Sequence, residues 1–284
     1  MIRTDRVPPP YLRRSRTTNE IMGDVCIALC PGIVSAVWMF GWAAAERILI
    51  ATMASLTAAR LSTRTAPDWA AVVTGLILCL SCPVGIPLWL LIGGCFFAVC
   101  VIRDGFGGVG NNLFNPAMAA RGLLLLGFPM WMNGYFADGI ASATPLIDRS
   151  TPFWSLVTGQ IGGSMGETSV LMIAIGFVWL CIRRVIAVRI PLLSLLGFSA
   201  VIGIAGEPIV YHLLSGGLLF GAVFVFTDYT TKPITRIGES VFAIGVGVLT
   251  ALLRLFGVYP EGVCFAVLCM NLISTAIRKE GVTI

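Results

Sequence analysis

The fold is decided by residues 72–102, which read VVTGLILCLSCPVGIPLWLLIGGCFFAVCVI. This stretch contains no acidic or basic residue, so it has no charged side chain for water to solvate. A helix that crosses the hydrocarbon core of a bilayer needs about 20 predominantly apolar residues. Two prolines divide the stretch, and we therefore expect two neighbouring membrane helices here, Trp69–Pro83 and Ile86–Ile102.

The composition of the whole chain also indicates a membrane protein. Of its 284 residues, 57% are hydrophobic and 12% are charged, whereas soluble domains carry about 25% charged residues. No stretch predicts a soluble domain. The net charge of +5 does not indicate nucleic-acid binding, because the basic residues form short clusters between apolar runs, as they do in membrane proteins.

Ten apolar segments are candidate membrane helices, which predicts an all-α integral membrane protein. Several are short, and short or interrupted helices in corresponding halves of a chain predict broken helices around a site at the bilayer midplane. A weak similarity between residues 75–78 and residues 217–220 predicts a pseudo-symmetric repeat. The ten segments are Asp24–Ala45, Glu46–Leu61, Trp69–Pro83, Ile86–Ile102, Pro116–Phe128, Ser169–Ala187, Ile190–Ala205, His212–Thr227, Ile237–Phe256 and Gly262–Ile277.

The positions of Lys and Arg predict the orientation of the chain. If the N-terminus is inside, most of the 19 basic residues fall in inner loops, as the positive-inside rule demands. We therefore expect a basic cytoplasmic segment, residues 1–23, and a single transmembrane domain, residues 24–284. Both termini are then cytoplasmic, and the longest connection, Pro129–Thr168, lies on the outer side.

This outer loop contains the motif Asp138-Gly-Ile-Ala-Ser-Ala-Thr144. It resembles the flavinylation motif shared by the D subunit of the Rnf complex and the B subunit of the sodium-pumping NADH:quinone reductase. In those families a flavin transferase joins FMN through its phosphate to the Thr hydroxyl. The resemblance implies covalent FMN on Thr144, with Asp138 recognised by the transferase and with small neighbours, Ser142 and Ala143, that leave the hydroxyl accessible.

The motif also departs from the family pattern. Ala141 stands where the family usually has Ser or Thr, and Ser142 stands where it usually has Gly. The alternative interpretation is an ordinary surface turn, since Ser, Thr and Pro favour turns.

A second motif, Phe106-Gly-Gly-Val-Gly110-Asn-Asn112-Leu-Phe-Asn115, resembles the signature loop of the same two families. There it lies near a second, non-covalent flavin on the inner side, riboflavin in the quinone reductase. Amide side chains offer donors and acceptors to a flavin ring, and glycines allow close backbone approach. The alternative, which is compatible with the first, is a helix break capped by Asn. The candidate flavin-binding residues are Gly108, Gly110, Asn112, Phe114 and Asn115.

A third motif, Thr227-Asp228-Tyr229-Thr-Thr-Lys232-Pro, resembles the family's Thr-Asp-Pro-Val-Thr-Ser-Pro loop. Tyr229 replaces the usual Pro and Lys232 the usual Ser. We expect this loop on the inner side, facing the same region as the Gly/Asn loop. It is either a pocket wall or subunit contact, or a polar turn between two helices.

Other patterns indicate structure rather than chemistry. The spacing Gly105-x-Gly-x-x-Gly110 matches a dinucleotide fingerprint, but that fingerprint requires a preceding strand, and an apolar span precedes it here. Cys79 and Cys82 lie in an apolar helix, which favours core packing. Charged residues at or inside span ends predict either an ion path or contacts with neighbouring subunits. No catalytic residue and no metal site is expected. These charged residues are Arg121, Glu207, Asp228 and Glu261.

The resemblance extends from about Pro8 to Ile277 and implies a fold similar to that of urea transporters. It implies a subunit of an ion-translocating ferredoxin:NAD oxidoreductase in the bacterial inner membrane, which is not catalytic alone. Electrons would pass through FMN and a second flavin, coupled to Na⁺ or H⁺ transport. Expected partners are Rnf subunits A, B, C, E and G, a flavin transferase and membrane lipid, without nucleic acid. The alternatives are the B subunit of the quinone reductase, a urea-transporter-like channel and a purely structural scaffold.

Overall fold

A computed structural model describes residues 16–63, 69–133, 136–137, 140–141, 153–158, 162–167, 169–233, 235–257 and 262–280. Over these residues the chain is an all-α membrane protein, as predicted. The strands found there are two residues long each, β1 (Phe136–Ala137) and β2 (Ile140–Ala141), and pair antiparallel. The similarity to urea transporters and the pseudo-symmetric repeat stay predictions.

Every one of the ten predicted segments contains a helix. The fourth and eighth segments each end in a π-helix, here π1 and π2, and two short helices occupy the predicted outer loop. The helices are α1 (Thr18–Phe40), α2 (Trp42–Thr63), α3 (Trp69–Leu80), α4 (Leu88–Phe96), π1 (Phe97–Asp104), α5 (Pro116–Gly127), α6 (Pro129–Met132), α7 (Phe153–Thr158), α8 (Val170–Ile182), α9 (Arg189–Ile204), α10 (Ile209–Leu214), α11 (Leu218–Phe220), π2 (Gly221–Val225), α12 (Arg236–Phe256) and α13 (Val263–Glu280).

The apolar surface of the helices agrees with a lipid surrounding. Among the described residues, α1 and α12 are long and apolar enough to cross a bilayer, and α3, α5, α8, α9 and α13 are shorter apolar helices. Large apolar side chains are widely exposed, for example Trp38, Ile204 and Phe256. Exposed apolar surface of this extent would be costly in water but not against lipid tails.

The first helix begins earlier than predicted. A capping box at Thr17 and Glu20 starts α1 at Thr18, so the expected boundary at residue 23 falls inside the helix. Asp24, predicted to begin the span, is buried within it. Its carboxylate is paired with Arg183 at 2.9 Å and with Arg16 at 3.5 Å, and this pairing offsets the cost of burying its charge.

The first interhelical turn is also misplaced in the prediction. Gly41, at φ +62°, ends α1, and α2 begins at Trp42. The predicted boundary between Ala45 and Glu46 therefore lies inside α2, which has 22 residues and is longer than the predicted segment Glu46–Leu61.

The break between α3 and α4 is completed by a distant segment. The Gly166 N–H donates to the Leu80 carbonyl at 2.7 Å, and the Met165 N–H donates to the Cys82 carbonyl at 3.1 Å. Backbone groups at the end of a helix have no partner within it, and the membrane interior offers no water to bond them. Residues 164–167 are buried within the protein, so this end of the predicted outer loop packs against the end of α3, while its place on the outer side of the membrane stays a prediction.

A buried ion pair lies beside this contact. Arg121 Nη2 is 3.7 Å from Glu167 Oε1, and each side chain is 4% exposed. Arg121 Nη2 also donates to Ser164 Oγ at 3.4 Å. Arg121 was predicted to lie on an ion path or in a contact with a neighbouring subunit, and Glu167 was predicted to lie in the outer loop. In the structure they pair within the chain and join α5 to the inserted segment.

Gly217 must be small because the Glu167 carboxylate lies against it. A Cβ added at Gly217 would overlap Glu167 Oε1 and Cδ. We predict that Gly217→Ala lowers the free energy of unfolding by about 1–3 kcal/mol, because overpacking at a buried site displaces its neighbours. The unfolding temperature of the purified chain in detergent measures this effect.

The matched control is Gly93→Ala in α4, where an added Cβ meets no atom within 4 Å. Since alanine is a better helix former than glycine, this variant should be as stable as the wild type or more so. Equal unfolding temperatures for Gly217→Ala and Gly93→Ala would contradict the close approach of Glu167 to Gly217.

Candidate functional site

A cleft opens at the end of the bundle that carries the N-terminus of α1. Its cavity has a volume of about 70 Å³, within a partly open cleft of about 710 Å³. The first turns of α1 and α3, the end of α8 and the N-terminus of α5 form the walls, together with the two loops that follow π1 and π2.

Both π-helices lead directly into this cleft. π1 ends at Asp104, one residue after Arg103, and π2 ends at Val225, just before Thr227 and Asp228. A π-helix is rare and turns the following side chains out of the α-helical register, and it is often found at functional sites. The two π-helices thus deliver the two family-like loops to one place.

Glycine determines the path of the first loop. Gly107, Gly108 and Gly110 have φ angles of +107°, +89° and +99°, which L side chains rarely adopt. The Gly108 N–H donates to the Arg103 carbonyl at 3.0 Å and so returns the chain to the end of π1. Gly108 and Gly110 therefore shape the loop, and they are not among the residues that line the cleft.

Asn115 connects the two loops. Its Oδ1 accepts from the Met118 N–H at 3.1 Å and caps α5. Its Nδ2 donates to Asp228 Oδ2 at 3.0 Å. The predicted helix cap is confirmed, with Pro116 in the first turn of the helix. The same amide also holds the Thr-Asp loop against the Gly/Asn loop, so the prediction that both loops face one region is confirmed.

Asp228 is a buried carboxylate held by its own loop and by Asn115. Thr230 donates to it from its N–H and its hydroxyl, at 3.0 Å and 2.9 Å, and the Thr231 hydroxyl donates at 3.3 Å. Asp228 lies between π2 and α12, outside the membrane-spanning segments. Burial raises the pKa of Asp228, and the hydrogen bonds from the threonines and Asn115 lower it in part.

Arg103 brings a buried guanidinium to the cleft wall. It is 2% exposed, and it makes a two-point contact with Asp104, Nε to Oδ1 at 2.7 Å and Nη2 to Oδ2 at 3.0 Å. Because the carboxylate balances the guanidinium charge, Arg103 can lie beside an apolar cavity without the full cost of an unpaired charge.

Asn112 presents a buried acceptor without a donor. The side chain lines the cleft and is 7% exposed, and Oδ1 has no hydrogen-bond partner among the residues that the structure describes. A buried polar atom left unpaired costs about 1–3 kcal/mol. Such an atom in a cavity wall indicates a ligand or a water that donates to it.

The remaining walls are apolar. They suit a flat, largely uncharged molecule with polar edges, since such sites pair apolar surface with a few placed polar groups. The apolar lining residues include Ile21, Met22, Val25, Val73, Ile77, Leu180, Val185, Ile186 and Phe224.

The chain matches a protein family over nearly its whole length. The model of the NQR2, RnfD, RnfE family matches residues 6–281. The chain belongs to this family.

Curated relatives in this family are components of ion-translocating complexes. The D subunit of the Na(+)-translocating ferredoxin:NAD(+) oxidoreductase complex of Acetobacterium woodii is 35% identical over 95% of this chain and 91% of its own. The proton-translocating counterpart of Clostridium ljungdahlii is 33% identical over 95% and 92%. The D subunit of the ion-translocating oxidoreductase complex of Stutzerimonas stutzeri is 36% identical over 93% and 90%.

Some of the predicted site residues line the cleft and others do not. Asn112 and Asn115 line the cleft, whereas Phe114 lies on the loop, half-buried and away from the lining. The third motif does form a cleft wall, through Thr227, Asp228, Tyr229 and Thr230. Asp138, Ser142, Ala143 and Thr144 lie outside the described residues, and covalent attachment there stays a prediction.

Sequence reasoning missed several residues of the cleft. Arg103 was counted only among the basic residues that set orientation, although an arginine that ends a long uncharged run is a signal in itself. The apolar residues of α1 and α8 carry no local signal, because apolar residues occur on every face of a membrane helix. Thr74 belongs to no motif, so it was not predicted either.

The double role of Asn115 gives a stability prediction. Asn115→Ala removes the cap of α5 and one donor to the buried Asp228 carboxylate. We expect a loss of about 1–3 kcal/mol in the free energy of unfolding, measured as a lower unfolding temperature in detergent. The control is Asn111→Ala, because Asn111 is exposed and its side chain bonds only the nearby Gly107 carbonyl in the described structure. Equal losses in both variants would contradict the linking role of Asn115.

Proposed function

We propose that this chain is the D-type membrane subunit of an ion-translocating ferredoxin:NAD oxidoreductase complex and that it holds two flavins. One is FMN attached covalently to Thr144, and the other is a non-covalent flavin, riboflavin, in the cleft lined by Asn112 and Asn115. The names of the curated relatives support the place in such a complex. The flavinylation-like motif at residues 138–144 supports the covalent site.

The unpaired Oδ1 of Asn112 is the main observation that supports the non-covalent flavin site. It is a buried acceptor in a cleft whose lining is mostly apolar, and a flavin ring offers both an N–H donor and a large apolar face. The residues present therefore fit a flavin. A bound flavin would supply redox chemistry, while Asn112, Asn115 and Arg103 would hold it in position and tune the charge around it.

The two sites would lie on opposite sides of the membrane. The cleft is at the end of the bundle where α1 begins, and Arg16, Arg183 and Arg189 lie at this end too. The positive-inside rule favours the cytoplasm for that end. Thr144, which follows α5 and α6 in the chain, would then lie on the outer side, and both termini would be cytoplasmic. The complex would lie in the bacterial inner membrane.

Partners follow from the same proposal. A complex of this kind would bring other Rnf subunits, A, B, C, E and G, against the apolar surface of the bundle, and a flavin transferase would modify Thr144. The coupling ion would be Na⁺ or H⁺, since one relative is named for each. The names of the relatives favour this assignment over the B subunit of the quinone reductase and over a channel.

Covalent attachment is tested by the variant Thr144→Ala. When the chain is co-expressed with a flavin transferase, the wild type should fluoresce as a flavoprotein after denaturing electrophoresis, and its mass should rise by that of FMN less one water. Thr144→Ala should lose both signals completely, because the phosphoester has no hydroxyl on which to form.

The control is Thr158→Ala, an exposed threonine in α7 whose hydroxyl bonds the Trp154 carbonyl. It should keep the wild-type fluorescence and mass. A wild-type chain of unmodified mass, or a Thr144→Ala chain that still fluoresces in the gel, would contradict the assignment of FMN to this residue.

A further inference from the structure

We propose that the C-terminal end of α8 binds an anionic phospholipid, whose phosphate contacts Arg183 and Arg184 and whose acyl chains lie along the exposed face of the helix. This surface is separate from the lining of the cleft, and its occupant is independent of any bound flavin. The partner is a diacyl lipid whose headgroup carries a net negative charge, such as phosphatidylglycerol.

Arg184 occupies a position at which glycine is usual. It follows Arg183, the C-cap of α8, and has φ +53°. The Val185 N–H donates to the Leu180 carbonyl at 2.9 Å, and the Arg184 N–H donates to the Cys181 carbonyl at 3.0 Å. This is the Schellman motif, whose left-handed residue is most often glycine. A helix dipole favours a cation at this end, but Arg183 already supplies one, so neither the turn nor the dipole explains an arginine at residue 184.

The guanidinium of Arg184 has no hydrogen bond or ion pair with any residue that the structure describes, and the side chain is exposed. Beside it, Arg183 and Arg16 share the carboxylate of Asp24, at 2.9 Å and 3.5 Å. The carboxylate of Glu20 is engaged in the capping box of α1. Three guanidiniums are therefore accompanied by two carboxylates, and the positive charge of Arg184 is left for an anion from the surroundings.

Exposed apolar side chains form one stripe along α8 that ends at the two arginines. The stripe consists of Leu171, Ile175, Val178 and Ile182. These residues recur at intervals of four, three and four, so they share one face of the helix. The opposite face packs on α1, where Gly176 lies against the Ala28 carbonyl. The stripe is about 16 Å long at 1.5 Å per residue, which is close to half of the hydrocarbon thickness of about 30 Å, so an acyl chain of one leaflet can contact all of it.

Trp179 places the two arginines at the level of the lipid phosphates. Its ring lies beside the Arg183 guanidinium, with 5.9 Å between the ring centroid and Cζ, and tryptophan prefers the interface between hydrocarbon and headgroups. The positive-inside rule assigns this end of the bundle to the cytoplasm, where basic residues meet anionic lipids. A zwitterionic headgroup would bring its own cation toward Arg184, and a soluble anion would leave the apolar stripe uncovered.

The test compares phosphatidylglycerol with phosphatidylcholine of the same acyl chains. Each is titrated into the full chain in detergent, and the bound lipid is counted by native mass spectrometry. The wild type should bind phosphatidylglycerol about fivefold or more tightly than phosphatidylcholine. In Arg184→Gly this preference should fall to about twofold or less, because the unbalanced charge is gone.

The same variant separates a lost lipid site from a damaged fold. Since glycine suits φ +53° better than arginine does, Arg184→Gly should unfold in detergent at the wild-type temperature or above it. The charge-matched control is Arg60→Ala, because Arg60 is exposed in the last turn of α2. It should keep the wild-type preference for phosphatidylglycerol. If Arg184→Gly does not fold, Arg184→Gln tests the charge with a side chain in place.

Three results would overturn the proposal. One is a wild-type chain that binds the two lipids equally. Another is a folded Arg184→Gly or Arg184→Gln chain that keeps the full preference. The third is displacement of phosphatidylglycerol by an excess of glycerophosphoglycerol, the same headgroup without acyl chains, since the site would then bind a soluble anion and not a lipid.

Discussion

The hydrogen bond from Asn115 Nδ2 to Asp228 Oδ2 is the interaction on which the cleft depends. It joins the N-terminus of α5 to the loop after π2. The other half of the amide caps α5. Because one side chain holds both the helix end and the distant loop, the cleft has two walls in fixed relation, and Asn112 is left to face the space between them.

The broken helices are also stabilised by bonds between distant parts of the chain. Where α3 ends, the N–H groups of Gly166 and Met165 donate to the carbonyls of Leu80 and Cys82. The Arg121–Glu167 ion pair holds that segment beside α5. A bilayer offers no water to complete an interrupted helix. An interruption is therefore stable only where another part of the same chain bonds to it. These breaks leave short helices, which is how a chain of apolar segments can enclose polar loops.

The sequence predicts the apolar segments well because each needs only a local run of uncharged residues. It predicts their ends poorly, since the Thr17 capping box and the Gly41 turn act through a few polar or small residues at the edges of long apolar runs. It could not predict the insertion of residues 164–167 or the pairing of Glu167 with Arg121, which depend on contacts between distant segments. The two π-helices have no periodic signal in a chain that is apolar on every face.

The candidate site was also predicted only in part from the sequence. Motif resemblance placed the Gly/Asn loop and the Thr-Asp loop in one region, and the structure confirms it through Asn115. Resemblance could not separate Asn112, which faces the cavity with an unpaired oxygen, from Gly108 and Gly110, which only shape the backbone. That distinction needs atomic positions, because it depends on which polar atoms are already bonded. Arg103 was missed for a related reason: its place at the cleft depends on the turn that π1 introduces.

The flavin content of the purified native complex tests the central claim most directly. After denaturation in acid, the flavin that is released and the flavin that stays with this chain are each quantified per chain. The account predicts one equivalent of riboflavin released from the subunit and one equivalent of FMN retained on it. A chain that retains no flavin and yields none would contradict the account.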